Sequence, residues 1–364
     1  MDPAAVGAGV TMSDFDLSPH FLLPSARTPR VWLYSREGEL IASLREFDSV
    51  VLTERYADHS EWDARFPVSE KVLAALDEAY FVTVGDRQEV YLSQRAQVGY
   101  DPEVGREFIT AGGLSASSLL SLRTLDGLYT WGGLTAGAIL DSVLSGLPSD
   151  RALPLSIGEG IDHGQPLSLQ RSWLDLSELA LQLLSLGALG FRTRFDEDGG
   201  VKLDILSGTF NERMIGERFR QGVGFAYTTD DAGWRNFAYV AGEGEGEDRE
   251  VVTVDQRTSG AERRELAVDA RDLQQGEMTL TEYRNLLAAR GASKLAEHRR
   301  LENAEATLEE LFEVSEVVWY DSKRWSGWFM VTESVMVIEE GGARHSVLLG
   351  EPPLTLRKML RRYF

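Results

Sequence analysis

The stretch FRTRFDEDGGVKLDIL, residues 191–206, constrains the fold more than any other segment. Two alternating runs flank the turn residues EDGG, and period-two alternation puts successive side chains on opposite faces of a strand. Glycine supplies the positive φ that a tight reversal needs. The segment therefore predicts a β-hairpin. Two helical patterns stand before it. LTAGAILDSVLSGL (134–147) is stopped by Gly146 and Pro148, and LDLSELALQLLSLGALG (174–190) has Asp175 or Ser177 as cap and Gly190 as stop. Residues 128–204 thus read as a small helix-plus-hairpin module.

The regions on either side are strand-like. RVWLYS, ELIASL and SVVLTERYA follow one another from Arg30, with REGE as a tight turn between the first two. A short helix is expected over 68–79 with Ser69 as cap, then a hairpin around Gly85 and Asp86. EFITAGGL reads as a strand that leads into a helical turn near Ser115. Residues 205–278 are mostly β. The longest helix is expected over 279–301, capped near Thr279 or Thr281, and strands return to the end of the chain. The class is α+β and β-rich.

Composition excludes several functions. The chain has no cysteine, so disulfides, thiol catalysis and cysteine metal sites are ruled out. Its 58 Asp and Glu against 37 Lys and Arg give a formal net charge of -21. That repels polyphosphate at long range and argues against sequence-specific nucleic-acid binding. The beginning carries acids where a signal peptide carries bases, and the apolar run Leu179–Phe191 is too short to cross a bilayer, so no membrane anchor is expected.

Site-like motifs each carry an ordinary reading beside the functional one. Gly242, Glu243, Gly244, Glu245 and Gly246 form a glycine-rich loop, but its glutamates oppose a phosphate and both flanks read as strand. A solvated hairpin tip explains it better than a phosphate or calcium site. GLSAS (113–117) lacks the last glycine of a serine-hydrolase elbow, so Ser115 is read as a helix cap. His20, His59, His163, His298 and His345 are not spaced as metal ligands. Glu54, Glu61 and Asp63 lie near Tyr56 and Trp62, a setting suited to sugar but shared by any amphipathic β surface. In RRELAVDARD (263–272), Arg263, Arg264, Glu265, Asp269, Arg271 and Asp272 either form a subunit contact or pair locally in solvent. No catalytic residue, metal or cofactor is expected.

Several stretches in order carry a resemblance. EFDSVVLTERYADHSEWDARFP (46–67), GGLSASSLLSLRTL (112–125), RNFAYVAGEGEGEDREV (235–251) and GAERRELAVDARDL (260–273) resemble the Pepy-type siphovirus minor tail proteins of long-tailed, mostly actinobacterial phages. The resemblance runs from about Arg30 to Pro353, and the glycine–glutamate loop is its most specific piece. It departs in the first 28 residues and at YDSKRWSGWFM (320–330), where a Leu-Gly-Asp turn is usual.

The resemblance implies a tail-tip or baseplate hub, distantly similar to the hubs of T-even and Mu contractile tails. Such a hub is a homotrimer in which each chain supplies two tube-like β-barrel domains. It joins the six-fold distal tail protein ring to a three-fold tail fibre, tip or tape-measure protein, and DNA passes through without specific binding. The protein is then a virion component assembled in the bacterial host cytoplasm. On this reading residues 1–28 are a flexible arm, 29–127 a first barrel, and 128–204 the module between the barrels. Residues 205–278 complete the barrels, and 279–364 hold the long helix and the C-terminal barrel strands. A carbohydrate-active tail enzyme and a host-surface binding module, the latter on the aromatics of 317–329, are the alternatives.

Overall fold

The computed structural model describes residues 29–350 apart from 188, 217–221, 272, 277, 297, 299–300, 309–310, 322–325 and 340–341. The arm expected over 1–28 lies outside the described residues.

Local signals act where the sequence placed them. Gly190–Phe195 and Val201–Leu206 pair as the expected antiparallel hairpin. The helices before it are α2 (Ala136–Ser145) and α3 (Leu176–Leu186); α1, the earlier short helix, spans Glu70–Glu78. The Thr135 hydroxyl accepts from the Ala138 N–H to start α2, and the Asp175 carboxylate accepts from Ser177 and Glu178 N–H groups to start α3. α3 stops at Gly187 rather than at Gly190, because Gly190 is already the first residue of the hairpin. One apolar core joins α2, α3 and the hairpin through Ile139, Leu140, Leu179, Leu183, Phe191 and Leu203.

Two departures from simple capping are instructive. Ser69 stands at the start of α1 with extended backbone but makes no side-chain cap bond. Ser115 precedes a 3-10 turn over Ala116–Leu122 and likewise does not cap it. Its hydroxyl instead accepts from the Ser60 N–H at 3.1 Å and lies 2.7 Å from Ser117 Oγ. His59 continues this buried chain, with Nδ1 2.7 Å from Ser117 Oγ and Nε2 2.6 Å from Ser177 Oγ. A polar line therefore ties the first β region to α3.

The dominant feature is a ten-stranded sheet drawn from both ends of the chain. Ser49–Arg55 pairs on one side with Glu61–Pro67 and on the other with Ser326–Glu339, in register from Arg55↔Glu333 to Ser49↔Glu339. The main path ends at Arg95–Asp101 on one side and at Gly222–Asp230 on the other, and a branch from Ser326–Glu339 through Glu316–Asp321 ends at Thr209–Gly216. Among the described residues no pairing brings a sheet back upon itself, so the tube-like closure expected of two barrels is not made by them. Strands that the sequence reading gave to two barrels share one open sheet here. A four-stranded sheet of Val31–Tyr34, Leu40–Leu44, Phe81–Val84 and Tyr91–Leu92 packs against it, burying Leu33, Val82, Leu52 and Trp62.

A separate three-stranded sheet holds Phe237–Ala241 between antiparallel Val251–Asp255 and parallel Glu265–Asp269. The long helix α4 (Leu280–Ala296) packs on it. The sequence reading grouped this helix with the C-terminal strands. Its buried Tyr283, Leu287 and Leu295 instead meet Ala238, Val240 and Val268.

Candidate functional site

The glycine–glutamate loop joins the first two strands of this small sheet, and its base is clamped. The Glu243 N–H donates to Tyr283 Oη at 2.8 Å, and Tyr283 Oη donates to the Leu273 carbonyl at 2.9 Å. The Gln275 N–H donates to the Glu243 carboxylate at 3.1 Å, while Arg249 donates to the carbonyls of Ala241 and Gly242. A Cβ at Gly242 would lie 2.2 Å from Tyr283 Oη, so only glycine lets α4 approach this closely. Gly244 and Gly246 take φ of 101° and 57° and, with Glu245, form an exposed tip. The loop is a hairpin connection in water only at its tip; its base is part of the helix–sheet core.

Alternation along the three strands decides what faces where. Ala238, Val240, Val252, Val254, Leu266 and Val268 point at α4. The other face carries Phe237, Tyr239, Thr253, Asp255, Glu265 and Asp269. On that face the Arg263 guanidinium lies 3.6 Å from the Phe237 ring centre, donates to Tyr239 Oη and pairs with Glu265 at 2.7 Å. Asp255 is paired with Arg257 at 2.6 Å, and Asp269 with Arg271 at 2.6 Å and Arg249 at 2.7 Å. The Arg257 hydrogen bonds hold the Asp255 carboxyl down to about 2, and those of Arg271 and Arg249 hold Asp269 well below the usual carboxylate range.

The structure thus brings Arg263, Glu265, Asp269 and Arg271 onto or beside one face. It turns Arg264 away, over the Trp234 ring at 5.0 Å and toward Asp231 and Glu262. Asp272 lies outside the described residues. Phe237, Tyr239, Arg249, Asp255 and Arg257 belong to the same face and were missed. The odd positions of FAYVA and VVTVD carried the signal, once the two runs are known to be neighbours.

The carboxylates weighed for sugar chemistry do not converge. Glu54 lies on the inner face of its strand, buried and held by a two-pronged contact from Arg87, whereas Glu61 and Asp63 lie on the face opposite Trp62. Glu61 pairs with Arg55 at 3.8 Å, and Asp63 pairs with Arg95. Trp62 and Tyr56 are spent on packing: the indole N–H donates to the Leu92 carbonyl at 2.9 Å and the phenol to the Leu206 carbonyl at 3.0 Å. Burial pushes the Tyr56 phenol up to about 12. Glu89, fully enclosed, accepts from the Thr193 N–H and hydroxyl, and burial pushes its carboxyl up to about 8. The aromatics of 317–329 include a cross-strand pair, Trp319 and Trp328, with ring centres 5.2 Å apart. Among the described residues no helix is long and apolar enough to cross a membrane, and no group of three His, Asp or Glu is arranged to hold a metal.

With this geometry in place, the fold matches solved phage tail proteins. A tail protein from Neisseria meningitidis superposes with a TM-score of 0.59 at 11% identity, covering 89% of this chain and 96% of that one. A 43 kDa tail protein of prophage MuSo2 from Shewanella oneidensis gives 0.58 at 12%, covering 89% and 98%. Prophage tail protein gp18 from Listeria monocytogenes gives 0.55 at 10%, covering 92% and 98%. Comparison with curated protein sequences gives no match. Residues 30–312 match the siphovirus ReqiPepy6 Gp37-like proteins, and the chain belongs to that family.

Proposed function

We propose that the protein is a structural hub of the phage tail, joining the six-fold tail tube and distal tail ring to a three-fold tip and forming part of the DNA conduit. The observation that carries the reading is the open ten-stranded sheet. It presents one free edge at Arg95–Asp101 and another at Gly222–Asp230, each paired on one side only among the described residues. Exposed strand edges are templates for pairing with another chain. Rotation about a three-fold axis would bring the first edge of one copy to the second edge of the next and close the tube that one copy leaves open. The strands of the ten-stranded sheet, from residues 29–127 and from 205 onward, would then form the tube, and 128–204 an outer module. The acidic surface fits a passage for DNA, because like charge keeps phosphates from sticking.

Gold-labelled antibody against this protein, applied to the virions that carry it, tests the location. Label confined to the tip end of the tail is the expected result; label along the tube, or only on the capsid, rules the hub out.

A further inference from the structure

The three-stranded sheet under α4 has two unlike faces. One is sealed by the helix, and over the other no described element packs. A solvated sheet face is ordinarily polar. Here Tyr239 and Val251 are 38% and 50% exposed, and Phe237 is covered by the stacked Arg263 guanidinium, the edge of the Tyr239 ring and the Arg257 guanidinium. Arginine and tyrosine are the side chains enriched at the centres of protein contacts.

Charge narrows the occupant. Two copies of a chain with net charge -21 repel unless they meet where the charge is locally balanced. This face is such a place, with Arg257, Arg263 and Arg271 set against Asp255, Glu265 and Asp269. The surplus acids of the segment, Glu245 and Asp248 among them, stand on the loop tip instead. An anionic ligand such as nucleic acid would need arginines left uncompensated, and here each is already bound to a carboxylate. In a three-fold ring this face meets a different patch of the neighbouring copy, and a face already neutral in itself can do so without adding to the repulsion. Those internal ion pairs also fix the arginine side chains beforehand, which lowers the ordering cost of contact.

We infer that the open face of the Phe237–Asp269 sheet is a contact surface for a neighbouring copy of this chain. The inference rests on the hub reading and adds to it a second seam, apart from the edges of the large sheet.

Because the chain has no cysteine, single cysteines can be placed at will. Thr253→Cys on the open face, and Glu197→Cys on the exposed turn of the 190–206 hairpin, in the module placed outside the tube, as control, are labelled with a maleimide benzophenone and illuminated. Covalent dimers and trimers from the Thr253 position, with none from the control, are expected. Arg263→Glu should weaken self-association about tenfold or more in sedimentation. Sedimentation as a trimer without Thr253 cross-links overturns the second seam and leaves the hub reading standing. A wild-type protein that stays monomeric at tens of micromolar overturns both.

Discussion

Tyr283 holds Glu243 by its backbone: one phenol oxygen accepts the Glu243 N–H at 2.8 Å and donates to the Leu273 carbonyl at 2.9 Å. A single side chain of α4 thereby fixes the base of the glycine–glutamate loop and the segment that follows the third strand. Tyr283→Phe removes both bonds and leaves a buried donor and acceptor unmet. It should lower stability by about 1–3 kcal/mol. Hydrogen exchange should quicken at the Glu243 amide and leave the 190–206 hairpin unchanged.

Gly291 sets helix propensity against packing. Replacing a mid-helix glycine by alanine ordinarily gains about 1 kcal/mol. A Cβ at Gly291 would lie 2.6 Å from Val240 Cγ2 and 2.7 Å from Val254 Cγ2, so α4 must lift from the sheet. Overpacking of this kind costs about 1–3 kcal/mol. Gly291→Ala should therefore lower the denaturation midpoint, and a raised midpoint would show that α4 is not seated as described.

Arg87 and Glu54 form a buried pair whose side chains are 14% and 7% exposed. Arg87→Met strands a carboxylate in the interior and should cost about 3–5 kcal/mol. Changing both partners, Arg87→Met with Glu54→Leu, should recover most of that loss. Urea denaturation of the two variants checks it, since a double variant no better than the single one would deny the coupling.

Glu89 makes stability depend on pH in a definite direction. Burial raises its folded value from the ordinary 4.5 to about 8, so the folded state holds the proton more tightly than the unfolded state. Its contribution is complete below about 4.5 and is lost as pH rises toward about 8. Each unit of difference is worth about 1.4 kcal/mol. Glu89→Gln keeps an oxygen for the Thr193 N–H and cannot ionise. It should flatten the decline in melting temperature over that window; an unchanged slope would mean that another group governs it.

Local structure was legible in the sequence, and long-range pairing was not. Asp175 and Thr279 declare their helices because cap and helix are neighbours; Thr279 and Glu282 bond reciprocally, as a capping box requires. The 190–206 hairpin carries its own turn. By contrast, nothing in SVVLTER names Val335 or Val337 as partners, because pairing across nearly the whole chain leaves no periodic trace. Ser115 was misjudged for a related reason. Its hydroxyl had a helix start at hand, yet the nearer donor in space is the Ser60 amide. At the candidate interface, Arg263, Glu265, Asp269 and Arg271 could be picked out by type, but their aromatic floor, Phe237 and Tyr239, lies on a strand about 25 residues away and joins them only through the parallel register.

The central claim is that three copies complete what one chain leaves open. Electron microscopy of the purified protein, with particles averaged without imposed symmetry, tests it most directly. The account predicts three-fold rings with an open central hole, built by the edges at Arg95–Asp101 and Gly222–Asp230. Particles of single-chain size with no ring would contradict it.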